Sequence, residues 1–390
     1  MGKLLRVAAL GLAALIILSG CAGGTTGSDE QKVTVWTYPT ISDDARHKEL
    51  WANLVSRFNE TNPEVKIDIE IFPWAKRDEA LQTAIASDTA PDLVYLVPDQ
   101  LSSYEASIEP MNTYLGQDRR NTLLPNVTQA VTTGDRLLGA PMLISSNPLV
   151  CSATAFRAAG VMTYPSTWED ITEMAPRFTE KGMYALTYSA DPGQTLNMSF
   201  YPLLWQAGGS VFDADEQIAF NSPQGVRALE FLTALARDNA LEPDALTTAV
   251  NTEQTEFAAG RSGCTWSIPA VDLTPVLGEE NVVVLPPLTD EQSVAYGTVG
   301  SLSLLKGSRN KEAAGRFAAF VTDPVNSIDY LQAGGYFSPA AGATPLYAGS
   351  PLQSRVEQTL PTVRFGEQNH AARQVMGVLS PEIQAALLGQ

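Results

Sequence analysis

Histidine and cysteine are scarce in this chain of 390 residues: only His47 and His370 of the first, and Cys21, Cys151 and Cys264 of the second. No Cys-x-x-Cys or His-x-x-x-His spacing occurs, which argues against a zinc site of the usual ligand types. Basic residues are also in short supply, 25 Lys and Arg against 43 Asp and Glu, for a net charge of −18. So acidic a body lacks the clustered cations that nucleic-acid phosphates demand, and it does not lie flat on anionic lipid. Catalytic signatures are missing as well. There is no Gly-x-Ser-x-Gly elbow, no phosphate-binding glycine loop ending in Lys-Ser or Lys-Thr, and no His-Glu-x-x-His. Carboxylates are numerous enough that a count alone leaves room for a glycosidase pair. Nothing else points to an enzyme, a cofactor or a metal.

Long apolar runs are absent too. Residues 7–18 form only a short one, and a membrane span takes roughly 20 apolar residues. With Lys3 and Arg6 ahead of it, the run reads as a secretory leader. Leu18-Ser19-Gly20-Cys21, followed by Ala22-Gly23-Gly24, resembles the lipobox of bacterial lipoproteins. There the cysteine thiol is diacylated and becomes the first residue. The resemblance implies a leader over 1–20, a lipidated Cys21 and a flexible tether through residue 31. The body would then stand on the extracytoplasmic face of a bacterial cell membrane, held by its anchor and not by surface charge.

What is present is an alternation of strand and helix signals. Val33-Thr34-Val35-Trp36-Thr37 is β-rich, and residues 47–59 carry Leu50, Trp51, Leu54, Val55 and Phe58 on one helical face. Residues 65–71 read as a strand, 76–87 as a helix, and 92–97 as a strand buried on both faces. That order predicts a parallel sheet with helices on both sides. A second series begins after Pro148, with strands at 149–151, 184–188, 263–268 and 282–285. Its helices run over 153–159, from Ser166 or Thr167 as N-cap, and from Ser222-Pro223 to Arg237. No internal repeat appears, which leaves an adhesive or structural repeat protein without support. Two α/β lobes account for the pattern.

Several segments resemble, in order, the extracellular solute-binding proteins of family 1, the group that includes maltose-binding protein. They are Val33-Thr34-Val35-Trp36, Phe58-Asn59-Glu60-Thr61-Asn62-Pro63, Ala90-Pro91-Asp92-Leu93-Val94, Ala155-Phe156-Arg157-Ala158-Ala159-Gly160-Val161 and Pro165-Ser166-Thr167-Trp168-Glu169-Asp170. Leu204-Trp205-Gln206-Ala207-Gly208-Gly209, Phe220-Asn221-Ser222-Pro223 and residues 307–322 continue the series. The resemblance implies a two-lobed periplasmic-binding-protein fold with three hinge crossings and solute in the cleft between lobes. The crossings should fall near 144–148, 297–303 and 336–341. Lobe one would combine 32–146 with 302–338, and lobe two 147–301 with 339–390. The implied function is carbohydrate capture by a monomeric lipoprotein that delivers its solute to the permease of an ABC importer. Relatives that take glycerophosphodiesters or polyamines keep those ligands open as alternatives. The family's layout also puts the strands of Cys151 and Cys264 in one sheet of lobe two, so a disulfide between them is expected.

A sugar offers hydroxyls at its edge and C–H patches on its faces, so its site needs planar polar groups and aromatic rings. Strand C-termini and the loops after them line the crevice of open α/β sheets. That rule selects Tyr38, Asp43 and Asp44 after the first strand, Trp74 after the second, and Asp99 and Gln100 after the third. Asp99 matches a family position that accepts sugar hydroxyls, and it also suits a helix N-cap; both roles are compatible. Asn147 lies in the first crossing with Ser145 and Ser146, and Ser301 in the second. Asn197 opens the helix leading to Trp205; Tyr336 and Phe337 follow Gly334-Gly335 at the third crossing. Trp266 stands upstream of Ala270, where the family often has a stacking tryptophan, and Met198 replaces a family aromatic. Both departures count against maltose-like oligosaccharides. Arg364 completes the candidate set as a partner for an acidic or phosphate group. Trp51 and Trp168 read as packing residues.

Overall fold

The computed structural model describes residues 31–343 and 345–390. The leader 1–20, Cys21 and the tether through residue 30 lie outside the described residues. In chain order the strands are β1 (Gln31–Thr37), β2 (Val65–Ile71), β3 (Leu93–Leu96), β4 (Ile108–Glu109), β5 (Thr132–Thr133), β6 (Arg136–Leu137) and β7 (Ala140–Ile144). After them come β8 (Leu149–Ser152), β9 (Tyr184–Leu186), β10 (Ser262–Thr265), β11 (Val282–Leu285), β12 (Ala295–Tyr296), β13 (Val299–Leu305) and β14 (Val363–Arg364).

Two larger sheets organise these strands. The first is six-stranded, in the order β2-β1-β3-β13-β4 with β7 also on β13; the second is four-stranded, β11-β8-β10-β9. β1 lies parallel to both β2 and β3, as the opening alternation requires. Every residue of β3 is buried, because a central strand has helices over both faces. The helix Asp44–Asn59 buries Leu50, Trp51, Leu54 and Phe58 on one side, and Asp43 caps it by accepting from the Arg46 N–H at 3.0 Å. In the second lobe, Thr167 and Asp170 form a reciprocal cap on the helix Trp168–Thr179. Asp170 also accepts from the backbone and hydroxyl of Ser166, which hold its carboxyl below the usual range.

The core has two parts. One spans the first sheet and reaches Val150, Val282 and Val284 on one face of the second. The other packs Cys151, Phe156, Trp168, Phe178 and Trp205 against the opposite face of the second sheet. Cys264 and Cys151 are directly paired on antiparallel β10 and β8, and their sulfurs are joined in a disulfide.

Connections between the sheets run side by side. Ile144 and Phe337 exchange backbone hydrogen bonds at 3.0 and 2.9 Å, Ser145 N–H donates to Thr298 O, and Asn147 N–H to Tyr296 O. β13 joins the first sheet from Val299 onward, earlier than the boundary expected at residue 302. Gly300 is required there, since a Cβ would lie 2.0 Å from the Tyr95 hydroxyl that crosses over it.

Candidate functional site

The C-terminal ends of β1, β2 and β3 open onto a cleft of about 920 Å³ between the two lobes. Trp74 forms part of the first-lobe wall and is 41 % exposed. A tryptophan this open has a reason to be held in place, and two contacts hold it. Its Nε1–H donates to Pro39 O at 3.1 Å, and the buried Tyr38 ring stacks on it with centroids 5.1 Å apart. Tyr38 thereby holds the ring against the first lobe while much of it stays open to the cleft. Burial pushes the Tyr38 hydroxyl up to about 12, so it remains protonated.

Beside Trp74 the helix Arg77–Ala86 begins with three charged residues that line the cleft, Arg77, Asp78 and Glu79. The Arg77 guanidinium carbon lies 4.8 Å from the Trp74 ring centroid and 5.6 Å from that of Tyr38. Asp78 accepts from the Gln100 side-chain amide at 2.6 Å and from the Tyr104 hydroxyl. Arg373, at the start of the C-terminal helix Ala372–Leu387, enters from the other lobe. Its Nε is 3.1 Å from an Asp99 oxygen and 3.8 Å from Asp78. At the opposite mouth, Ser42 donates to Asp272 at 2.7 Å, so contacts span the cleft at both ends.

The rest of the wall is uncharged at three decisive points. Asn147, Asn197 and Gln353 line the cleft yet are only 8 %, 2 % and 8 % exposed. Each keeps an amide atom without a hydrogen-bond partner among the described residues: Asn147 Nδ2, Asn197 Oδ1 and Gln353 Oε1. Buried amides are normally satisfied, so three unmet ones around one cavity mark a place built for a polar occupant. Tyr336 also lines the cleft, its hydroxyl donating to the Thr40 carbonyl. Gly334 permits that ring position, because a Cβ there would meet the ring at 2.2 Å. Behind Thr40 stands a buried cluster in which the Trp51 indole donates to His47 Nε2 at 3.0 Å and the Tyr330 hydroxyl lies 2.9 Å from the same nitrogen.

Of the candidates read from sequence, Trp74, Asn147, Asn197 and Tyr336 therefore meet at the cleft. Tyr38, Asp99 and Gln100 stand directly behind lining residues. Asp99 is 1 % exposed, in the first turn of the helix Pro98–Tyr104, with two cleft-lining residues against it, Arg373 at 3.1 Å and the Asn197 amide, which donates to it at 3.4 Å. It does not cap that helix through its side chain. The other candidates lie elsewhere. Asp43 caps a helix, and Asp44 pairs with Lys48 at 2.6 Å on the surface. Trp205 and Trp266 are core residues whose indoles donate to Glu367 and to Ser199 O. Ser301 is enclosed within β13 and Phe337 packs edge-on against Tyr347. Arg364 pairs with Glu367 at 3.0 Å and lies 4.9 Å over the Trp205 ring. Sequence reading missed Arg77, Asp78, Gln353 and Arg373. Arg77 and Asp78 were within reach, since they follow the same strand end as Trp74. Gln353 and Arg373 carry no local signal, because folding alone brings the C-terminal helices to the cleft.

Residues 44–327 match the family of bacterial extracellular solute-binding proteins. The chain belongs to that family. It is accordingly a solute-binding protein with the two-lobed fold of its relatives, and not an enzyme. A protein of Brucella abortus named as a binding protein is 20 % identical, over 97 % of this chain and 93 % of its own. Among solved structures, a solute-binding protein of Thermotoga lettingae with α-D-tagatose bound superposes with a TM-score of 0.80. It is 20 % identical, covering 92 % of this chain and 95 % of that one. An ABC substrate-binding protein of Listeria monocytogenes in complex with cycloalternan gives 0.79 at 20 % identity, over 93 % and 94 %. Among the described residues of this solute-binding protein no helix is long and apolar enough to cross a membrane.

Proposed function

We propose that this chain is the solute-capturing subunit of an ABC importer and that its cleft takes a carbohydrate. The carrying observation is one cavity that combines the partly exposed Trp74 ring with the three buried amides Asn147, Asn197 and Gln353. A pyranose ring needs both, a π-face for its C–H patches and planar donors and acceptors for its hydroxyls. The sugar ligands of the Thermotoga and Listeria neighbours support the same class. Cys21 is read as the lipid anchor, the permease of the importer as the partner, and the monomer as the working unit. The adjacent connections at residues 144–147, 296–298 and 337 serve as the hinge on which the two lobes close, one built on residues 32–146 with 299–338 and the other on 147–298 with 339–390.

A polyamine fits less well, because Arg77 and Arg373 stand in the cavity that would receive its cations. Titration calorimetry of the full-length protein against mono- and disaccharides, glycerophosphocholine and spermidine tests the reading. Saturable binding of a sugar supports it; binding of spermidine alone removes it.

A further inference from the structure

Arg77 and Arg373 are adjacent cations in the cleft wall, with side chains 12 % and 22 % exposed. Their surroundings differ. Arg373 faces two carboxylates, Asp99 and Asp78, which offset its charge. Arg77 has Asp78 at 4.0 Å from its Nε, outside hydrogen-bond reach, and the charge of Asp99 farther off. Both Asp78 and the nearby Gln100 are already engaged with one another. The guanidinium of Arg77 is instead pinned by rings, against Trp74 and Tyr38, and none of its N–H groups finds an acceptor among the described residues. Burial, and after it the like charge of Arg373, push Arg77 below the usual arginine range. A group so placed gains more from an incoming anion than an exposed arginine would.

We propose that the sugar held here carries one carboxylate, which Arg77 receives with Arg373 beside it: the ligand is a sugar acid such as a uronic acid residue. The inference rests on the carbohydrate reading and narrows it. A guanidinium fork matches the two oxygens of a carboxylate, and the Trp74 ring next to it takes the face of the same sugar. One anionic group is the limit. Glu79, Asp191 and Asp272 also line the cleft, and a second negative charge would meet them.

The test pairs acids with their neutral counterparts. Full-length protein is freed of endogenous ligand by reversible unfolding, then titrated with glucuronate and glucose, galacturonate and galactose, and the corresponding disaccharides. Glucose 6-phosphate and glycerophosphocholine complete the series. At least one uronate should bind about tenfold tighter or better than its neutral partner. Arg77→Met should erase that difference and Arg77→Lys should restore part of it, with melting of the ligand-free variants as the fold control. Equal or tighter binding of the neutral sugars overturns the proposal and leaves the carbohydrate reading standing. Preference for glucose 6-phosphate overturns the carboxylate in the same way. Binding of glycerophosphocholine alone, or of nothing in the series, ends both.

Discussion

Trp74, Arg77 and Asp78 reach the cleft from the first lobe, whereas Asn197 and Gln353 reach it from the second. The first lobe supplies an open ring and the charged run Arg77-Asp78-Glu79; the second supplies neutral amides, the separate carboxylates of Asp191 and Asp272 and, at the start of its last helix, one arginine. The difference follows from how each sheet ends. In the first, parallel strands finish together at one edge and helices begin there, so charged first-turn residues such as Asp78 collect at the cleft. Both sheets are mixed, but in the second β8 runs antiparallel to its two neighbours β10 and β11, so no such set of parallel strand ends forms there. Its contribution comes from loops and from helices distant in sequence. The second lobe is also the one with a covalent staple, placed within a single sheet and clear of the hinge connections. Tryptophan shows the same division. Trp74 projects where a strand leaves the sheet, while Trp205, on a helix inside the second core, is 1 % exposed.

The sharpest way to break this comparison is to truncate both rings. Trp205→Ala should cost about 3–5 kcal/mol of stability through the lost core volume, read by urea unfolding. The same change at Trp74 should leave stability within about 0.5 kcal/mol. Similar losses at both sites would mean that Trp74 is a packing residue.

Next in size is the staple. Replacing Cys151 and Cys264 together with alanine should cost about 2–5 kcal/mol. Hydrogen exchange should quicken in β8, β10 and β11 before it does in β1 and β3. A uniform rise across both sheets would dissolve the distinction between lobes.

The first lobe has its own vulnerability, to acid. Burial lowers His47 from 6.5 to about 4, and the residue is fully enclosed. Its folded pKa lies below the unfolded one, so above pH 6.5 both states are neutral and nothing is lost. As pH falls toward 4 the unfolded chain takes up the proton and the folded one resists, removing up to about 3 kcal/mol. Urea unfolding at pH 7 and at pH 4.5 should show this loss, and His47→Gln should reduce the pH-dependent part. A pH dependence unchanged by that substitution would assign the acid sensitivity elsewhere.

The smallest effect concerns the ligand. Trp74→Ala should weaken binding of whichever sugar the titrations identify by at least about tenfold, roughly 1.4 kcal/mol. Unchanged affinity would remove the ring from the site.

Much of this was legible before any coordinates. Residues 65–71, 153–159 and 282–285 take the structures their patterns dictate, because apolar periodicity and caps are local properties. Thr167 is the N-cap among the two candidates since Asp170 reciprocates at the third position. The strand-end rule reached Trp74 for the same reason: a ring beside proline at the end of a strand has no sheet to bury it.

The rule also selected Asp43 and Asp44, and there it met its limit. Both follow β1, yet one was taken by helix capping and the other by a surface pair. Composition could not separate Trp266 from Trp74, because burial depends on what folds over a residue. Asp99 illustrates the same point, as its partners Asn197 and Arg373 come from far along the chain. The sequence by itself determined the elements, the family and the strand ends where a cleft must open. Only the tertiary structure decided which side chains enter that cleft, because the hinge connections and the C-terminal helices bring together residues that share no local pattern.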